Sequence, residues 1–187
     1  MSEFAHSARN SLIDRERTYW LTPDKLQWRE ADTEYRLAYD QIAEMRLIRY
    51  ASFDGEQYQC KLTAPGQGKL KIRSHHYAGL SRFENRTSTY APFVRELARR
   101  IASASPDARF RAGGLGLQIM WISVLVIYVA VLVLLALAFL GGMDPTPGKI
   151  AVIAGLVGTA PFIWRQIGKN RGERFDPADP PGEIIGA

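Results

Sequence analysis

From Thr18 to His76 the hydrophobic and polar positions alternate with period two, and turn signals interrupt them at short intervals. After Trp20 and the turn Thr22-Pro23-Asp24-Lys25, Leu26 and Trp28 alternate with polar neighbours; Glu30-Ala31-Asp32 predicts the next turn. Tyr35, Leu37 and Tyr39 follow, then a bend at Asp40-Gln41-Ile42, then Met45 and Leu47. Asp54-Gly55 is a hairpin signal, because such turns need positive φ. Tyr58, Cys60 and Leu62 share a face beyond it, and Leu70 and Ile72 come after Pro65-Gly66-Gln67-Gly68. The pattern predicts about six to seven short antiparallel strands. A loop then leads to a second period: Tyr90, Phe93, Val94, Leu97 and Ile101 form one apolar stripe at helical spacing, with Arg95, Glu96, Arg99 and Arg100 off it. Pro92 is tolerated in a first turn, and Ser105-Pro106 ends the helix. The expected architecture is α+β, a strand meander or split barrel whose open end the helix plugs.

The alternation then stops. Leu117 to Leu140 is a run of 24 residues without a charge, about 36 Å of helix at the usual rise, enough to cross a bilayer core of about 30 Å. It begins too far along the chain for a signal peptide, and a soluble helix is rarely apolar on every face for six turns. A second apolar segment, Ile150 to Trp164, follows a turn of helix breakers at 141–149. Its 15 residues cover only about 22 Å, so a re-entrant or interfacial segment is the alternative to a full span. Lys149 and Arg165 can snorkel at its ends, Trp164 suits the interface, and a neighbouring helix would cover the backbone that Pro161 frees. Ala151, Gly155 and Thr159, like Ala154 and Gly158, repeat every four residues and predict close helix packing, most simply on the first span.

The expected organisation is therefore a polar segment at 1–17, a domain at 18–104, a juxtamembrane linker at 105–116, spans at 117–140 and 150–166, and a Pro-rich tail at 167–187. Charge sets the orientation. Arg109 and Arg111 precede the first span, while Arg165, Lys169, Arg171 and Arg174 follow the second, so the positive-inside rule puts both flanks in the cytoplasm. Residues 1–114 carry 19 Lys and Arg against 14 Asp and Glu, and the remainder carries 5 of each, so the excess charge sits in the domain, where it favours an anionic leaflet. That excess is modest and contains no basic block, which argues against nucleic-acid binding. A lone Cys60 excludes an internal disulfide and fits a reducing compartment.

Residues 18–103 resemble the bacterial membrane-associated pleckstrin-homology-like (PH-like) domains. The stretch Tyr39-Asp40-Gln41-Ile42-Ala43-Glu44-Met45-Arg46-Leu47 is similar to their aromatic, acidic and Ile positions before a strand, and Tyr90-Ala91-Pro92-Phe93-Val94-Arg95-Glu96-Leu97 to the start of their closing helix. Arg174-Phe175-Asp176-Pro177 is similar to a tail motif of two-span bacterial membrane proteins. The resemblance implies a binding or scaffolding module without chemistry of its own, in the bacterial inner membrane with both termini cytoplasmic. Phosphoinositide recognition does not carry over, because the turn Arg29-Glu30-Ala31-Asp32-Thr33-Glu34 is mostly acidic.

No catalytic, cofactor or metal site is expected. His75 and His76 are adjacent in extended chain and point to opposite faces, Cys60 alternates with core positions, and no nucleophile elbow or phosphate loop occurs. Lys69, Lys71 and Arg73 share a strand face near Lys61, and with Arg109, Arg111, Arg165, Lys169 and Arg171 they are the candidates for contact with anionic lipid or a partner. Each such charge is worth about 1 kcal/mol at a membrane surface; the competing reading is a solvated strand face protected by lysines. The expected partners are membrane lipids, with a protein partner or a second copy of the chain. Two roles follow: a membrane-anchored scaffold, or an accessory subunit of a larger membrane complex whose interface is the helical hairpin. For the tail, disorder is the expectation, with docking on the domain through Ile184 and Ile185 as the alternative.

Overall fold

A computed structural model describes residues 4–52, 55–79, 82–113, 115–142, 144, 146–169 and 173–187. The chain forms two compact units, one comprising the residues up to Gly113 together with Glu173–Ala187, the other spanning the helical segment between. The fold is α+β, with eleven strands in three sheets and four helices among the described residues.

The first unit holds all three sheets, two of them meanders. Strands β1 (Ala5–Ala8), β2 (Arg17–Leu21), β3 (Lys25–Glu30) and β4 (Thr33–Ala38) form an antiparallel meander in chain order. A single 3-10 turn at Tyr39–Gln41 provides the expected bend into β5 (Glu44–Ser52), β6 (Gly55–Ala64) and β7 (Gly68–Arg73), a second meander. Pairing of β5 with β6 runs out to Ser52 and Gly55, whose φ of +109 meets the need for glycine there; Asp54 lies outside the described residues. A hairpin of β8 (His75–Gly79) and β9 (Arg82–Asn85) then precedes α1 (Thr87–Ala104), where the sequence predicted only a loop.

Helix α1 starts earlier than the sequence predicted, so Pro92 falls in its second turn rather than its first. The missing N–H leaves the carbonyl of exposed Ser88 to solvent, on the outer side of the helix, where the loss is cheap. The predicted stripe faces inward: Tyr90, Phe93, Val94, Leu97 and Ile101 are fully buried against Tyr19, Leu26, Met45, Leu47, Cys60, Leu62 and Ile72. Arg100 and the Tyr39 hydroxyl both donate to the carbonyl of Thr22, at 2.6 and 2.8 Å, which fixes the end of the helix against the turn between β2 and β3.

Three segments expected to lack regular structure are part of this domain. In the N-terminal segment β1 pairs with β2, and His6 is 2% exposed. In the expected linker, β10 (Arg109–Ala112) runs parallel to β5. The tail is ordered: β11 (Glu173–Arg174) pairs with β10, Phe175 packs edge-on against Phe110 at 5.7 Å, and the single turn α4 (Gly182–Ile185) buries Ile185 completely. The second sheet thus has the order β11-β10-β5-β6-β7. Each of these pieces carries only one or two inward side chains, too few for a period to register, and each is held by partners distant in sequence.

The second unit pairs α2 (Leu115–Leu140) with α3 (Pro147–Lys169). Both are long and apolar enough to cross a membrane, over Ile119–Leu140 and Pro147–Arg165. α3 begins with Pro147 in the first turn, where its fixed φ is favourable, and so gains the length that the apolar run alone lacked. Among the described residues of α2, Trp121, Leu125, Tyr128, Leu132, Leu135, Ala138 and Phe139 are partly covered, and all but Ala138 follow a spacing of three and four that is typical of left-handed pair packing. Their counterparts on α3 are Ile153, Leu156, Ala160 and Ile163, with Trp121 edge-on to Phe162 and the Tyr128 hydroxyl bonded to the Leu156 carbonyl. This corrects the expected seam. Ala151, Ala154, Gly155, Gly158 and Thr159 are exposed, and a Cβ added at Gly155 or Gly158 would meet nothing within 4 Å. Large side chains fill the contact, and the small-residue stripe faces away from α2.

Candidate functional site

The five-stranded sheet aligns basic side chains across all of its strands. Its pairing sets Arg174 beside Arg111, Arg111 beside Arg46, Arg46 beside Lys61 and Lys61 beside Lys71. One row is therefore Lys or Arg at every position, and at a strand spacing of about 4.8 Å it runs roughly 19 Å. The row two residues along reads Arg109, Glu44, Thr63 and Lys69. Alternation sends the residues between these rows to the opposite face: Phe110, Met45, Leu62 and Leu70, then Ala112, Leu47, Cys60 and Ile72, all in or against the core. The same pleat that buries the apolar half of each strand thus gathers the cations on the outer face.

Seven of the nine residues in the two rows are Lys or Arg, and the single acid, Glu44, is already engaged. Its Oε1 accepts from the Nε and Nη2 of Arg46 at 2.9 and 2.7 Å, and Arg109 stands 4.0 Å from Oε2. Among the described residues no carboxylate lies within ion-pair distance of Lys61, Lys69, Lys71, Arg111 or Arg174. Partial burial lowers the pKa of the Lys61 ammonium, and Lys69, Arg46 and Lys71 push it the same way. Such an arrangement binds anions by charge.

The other candidates from the sequence are distributed differently. Arg73 lies on the same strand but is engaged with the N-terminal segment, its Nη1 donating to the Asn10 carbonyl at 3.1 Å. Arg165 is exposed on α3, Lys169 is the last residue of that helix, and Arg171 lies outside the described residues. Arg46 and Arg174 join the face without having been singled out. Arg46 was findable, since it alternates with the core residues Met45 and Leu47; Arg174 was not, because only its pairing with Arg111 brings it there.

Several titratable groups lie away from this face. His6 sits beneath α1 and accepts or donates at both ring nitrogens, Nε2 to the Arg73 carbonyl at 2.7 Å and Nδ1 with the Thr89 hydroxyl at 3.0 Å. A carbonyl can only accept, which assigns the proton to Nε2. Burial brings the pKa of His6 down to about 4, with a smaller contribution from the nearby Arg86 charge. A cleft beside it is lined by Ser7, Thr18, Glu84 and Arg86, whose guanidinium donates to Ser7, Glu16 and Glu84. His75 is buried beside the Ser74 hydroxyl, and His76 stands on the other side, 3.5 Å from Glu16. Burial pushes the Cys60 thiol pKa far up. Among the described residues no group of three or more His, Cys, Asp or Glu is placed to hold a metal ion. Compared with protein-family models, curated proteins and solved structures, the chain matches none.

Proposed function

We propose that this chain is a membrane-anchored, non-catalytic interaction protein, a PH-like domain held at the cytoplasmic face of a bacterial inner membrane by a two-helix hairpin. Its basic sheet face is the surface offered to lipid or protein partners. The observation that carries the reading is the position of that face: β10 and β11, which contribute Arg111 and Arg174 to it, are the strands immediately before and after the two apolar helices. Two flanks paired in one sheet have to lie on one side of a membrane, which agrees with the basic residues around both. The PH-like assignment is supported by the two successive meanders followed by a helix with a buried apolar stripe.

A photo-crosslinker at Lys71 in native membranes, compared with one at exposed Tyr35 on the other sheet, tests the reading. It predicts lipid or protein adducts from position 71 that position 35 does not give. Equal, solvent-only behaviour at both positions would contradict it, as would a full chain that stays dispersed in buffer without detergent. A second reading, an accessory subunit of a membrane complex, is favoured by one observation, the uncovered small-residue stripe on α3.

A further inference from the structure

We infer that the two cationic rows of the five-stranded sheet dock flat on the anionic phospholipid headgroups of the leaflet that anchors the chain, reading surface charge density rather than one headgroup. The inference rests on the anchoring proposed above and names the partner of that face. Its first ground is electrostatic. Like charges directly opposite on neighbouring strands repel, and four consecutive pairs do so here, from Arg174 to Lys71. Glu44 relieves only Arg46 and Arg109. An external layer of anions relieves all of them at once.

The second ground is shape. The cations lie side by side across five strands of a pleated sheet, one per strand in the longer row, so the face suits a broad anionic surface better than a single small ligand. A third is chemistry: none of the nine residues is aromatic, which removes the stacking platform that single-stranded nucleic acid uses. The last is the tether. Only Gly113 and Gly114 separate β10 from α2, and only residues 170–172 separate α3 from β11. At about 3.5 Å per residue those links keep the ends of both strands within roughly 15 Å of the helix ends, so the local concentration of headgroups is set by the anchor itself.

The test uses the full chain in nanodiscs of phosphatidylcholine alone or of a mixture rich in phosphatidylglycerol, with acylation rates of individual lysines read by mass spectrometry. Lys61, Lys69 and Lys71 are expected to react severalfold more slowly in the anionic discs and to recover at high salt, where charges are screened. Lys25, on β3 and paired with Asp24 at 3.5 Å, is expected to react equally in both. In the K69E/K71E variant, protection of Lys61 should vanish while Lys25 reports an unchanged fold. A chain that inserts but reacts at equal rates in both discs overturns the docking alone. A chain that stays outside discs without detergent overturns the anchoring and the docking with it. Protection by single-stranded RNA in neutral discs, matching or exceeding that by anionic lipid, reassigns the face to nucleic acid and overturns the inference.

Discussion

At the scale of single residues, three positions are held in conformations or environments with a measurable consequence. Ala31 sits in the turn between β3 and β4 with φ of +51, a region that costs a residue with a Cβ about 1 kcal/mol. Ala31→Gly is expected to raise stability by up to about 1 kcal/mol in denaturant unfolding, less the entropy that glycine adds to the unfolded chain; a loss of that size would contradict the assigned turn. His6 makes stability depend on pH. Its folded pKa of about 4 lies below the ordinary 6.5, so between those values the unfolded chain binds more protons. The contribution is complete above pH 6.5 and is lost as pH falls toward 4, on the order of 3 kcal/mol in all. Replacing His6 with Gln should flatten the stability profile over that window, and an unchanged slope would show that the ring is not buried neutral. Gly186, with φ of +78, is packed so closely on Tyr58 and Thr87 that an added Cβ would collide with both. Gly186→Ala is therefore expected to cost roughly 1–3 kcal/mol, measured by thermal unfolding in detergent.

The elements divide according to how their sequence encodes them. Strands β2 to β7 were legible because alternating apolar positions are bracketed there by turn signals, and helix α1 because its apolar stripe recurs over four turns. Helix α2 was legible from length alone, whereas the apolar run of α3 was short and gained its span only with the flanking residues from Pro147 to Lys169. β1, β10 and β11 were not. The inward residues of β1 are His6 and Ala8, and β10 reads Arg-Phe-Arg-Ala, which looks like a linker until β5 is set beside it. The tail reads as disordered because it is rich in proline, yet Phe175 and Ile185 complete the core. The basic face shows the same limit: Lys61, Lys69 and Lys71 could be placed from alternation, whereas joining them to Arg111 and Arg174 needed non-local pairing. The helical pair shows an error of a different kind. Small residues at four-residue spacing are permissive of close approach but do not compel it, and larger residues on the neighbouring stripe make more dispersion contact with α2. Gly155→Leu with Gly158→Leu should consequently leave the stability of the hairpin unchanged within about 0.5 kcal/mol, since surface changes away from a contact usually fall in that range. Loss of a co-purifying membrane protein from that intact variant would support the accessory-subunit reading; a destabilised hairpin would contradict the open face.

At the scale of the whole molecule, the domain is discontinuous in sequence, with the apolar helices inserted between two neighbouring strands of one sheet. That connection ties membrane topology to folding. If the two helices cross the bilayer, the domain closes only when both cross, because one span alone would leave β10 and β11 on opposite sides. Single-cysteine mapping measures this most directly, in a Cys60→Ser background with an impermeant thiol reagent on intact cells. The account predicts that a cysteine at Asp144, between the helices, is labelled from outside, while cysteines at exposed Ser88 and at Ala187 react only after the cells are opened. Labelling of Ala187 from outside, or protection of all three until lysis, would contradict it.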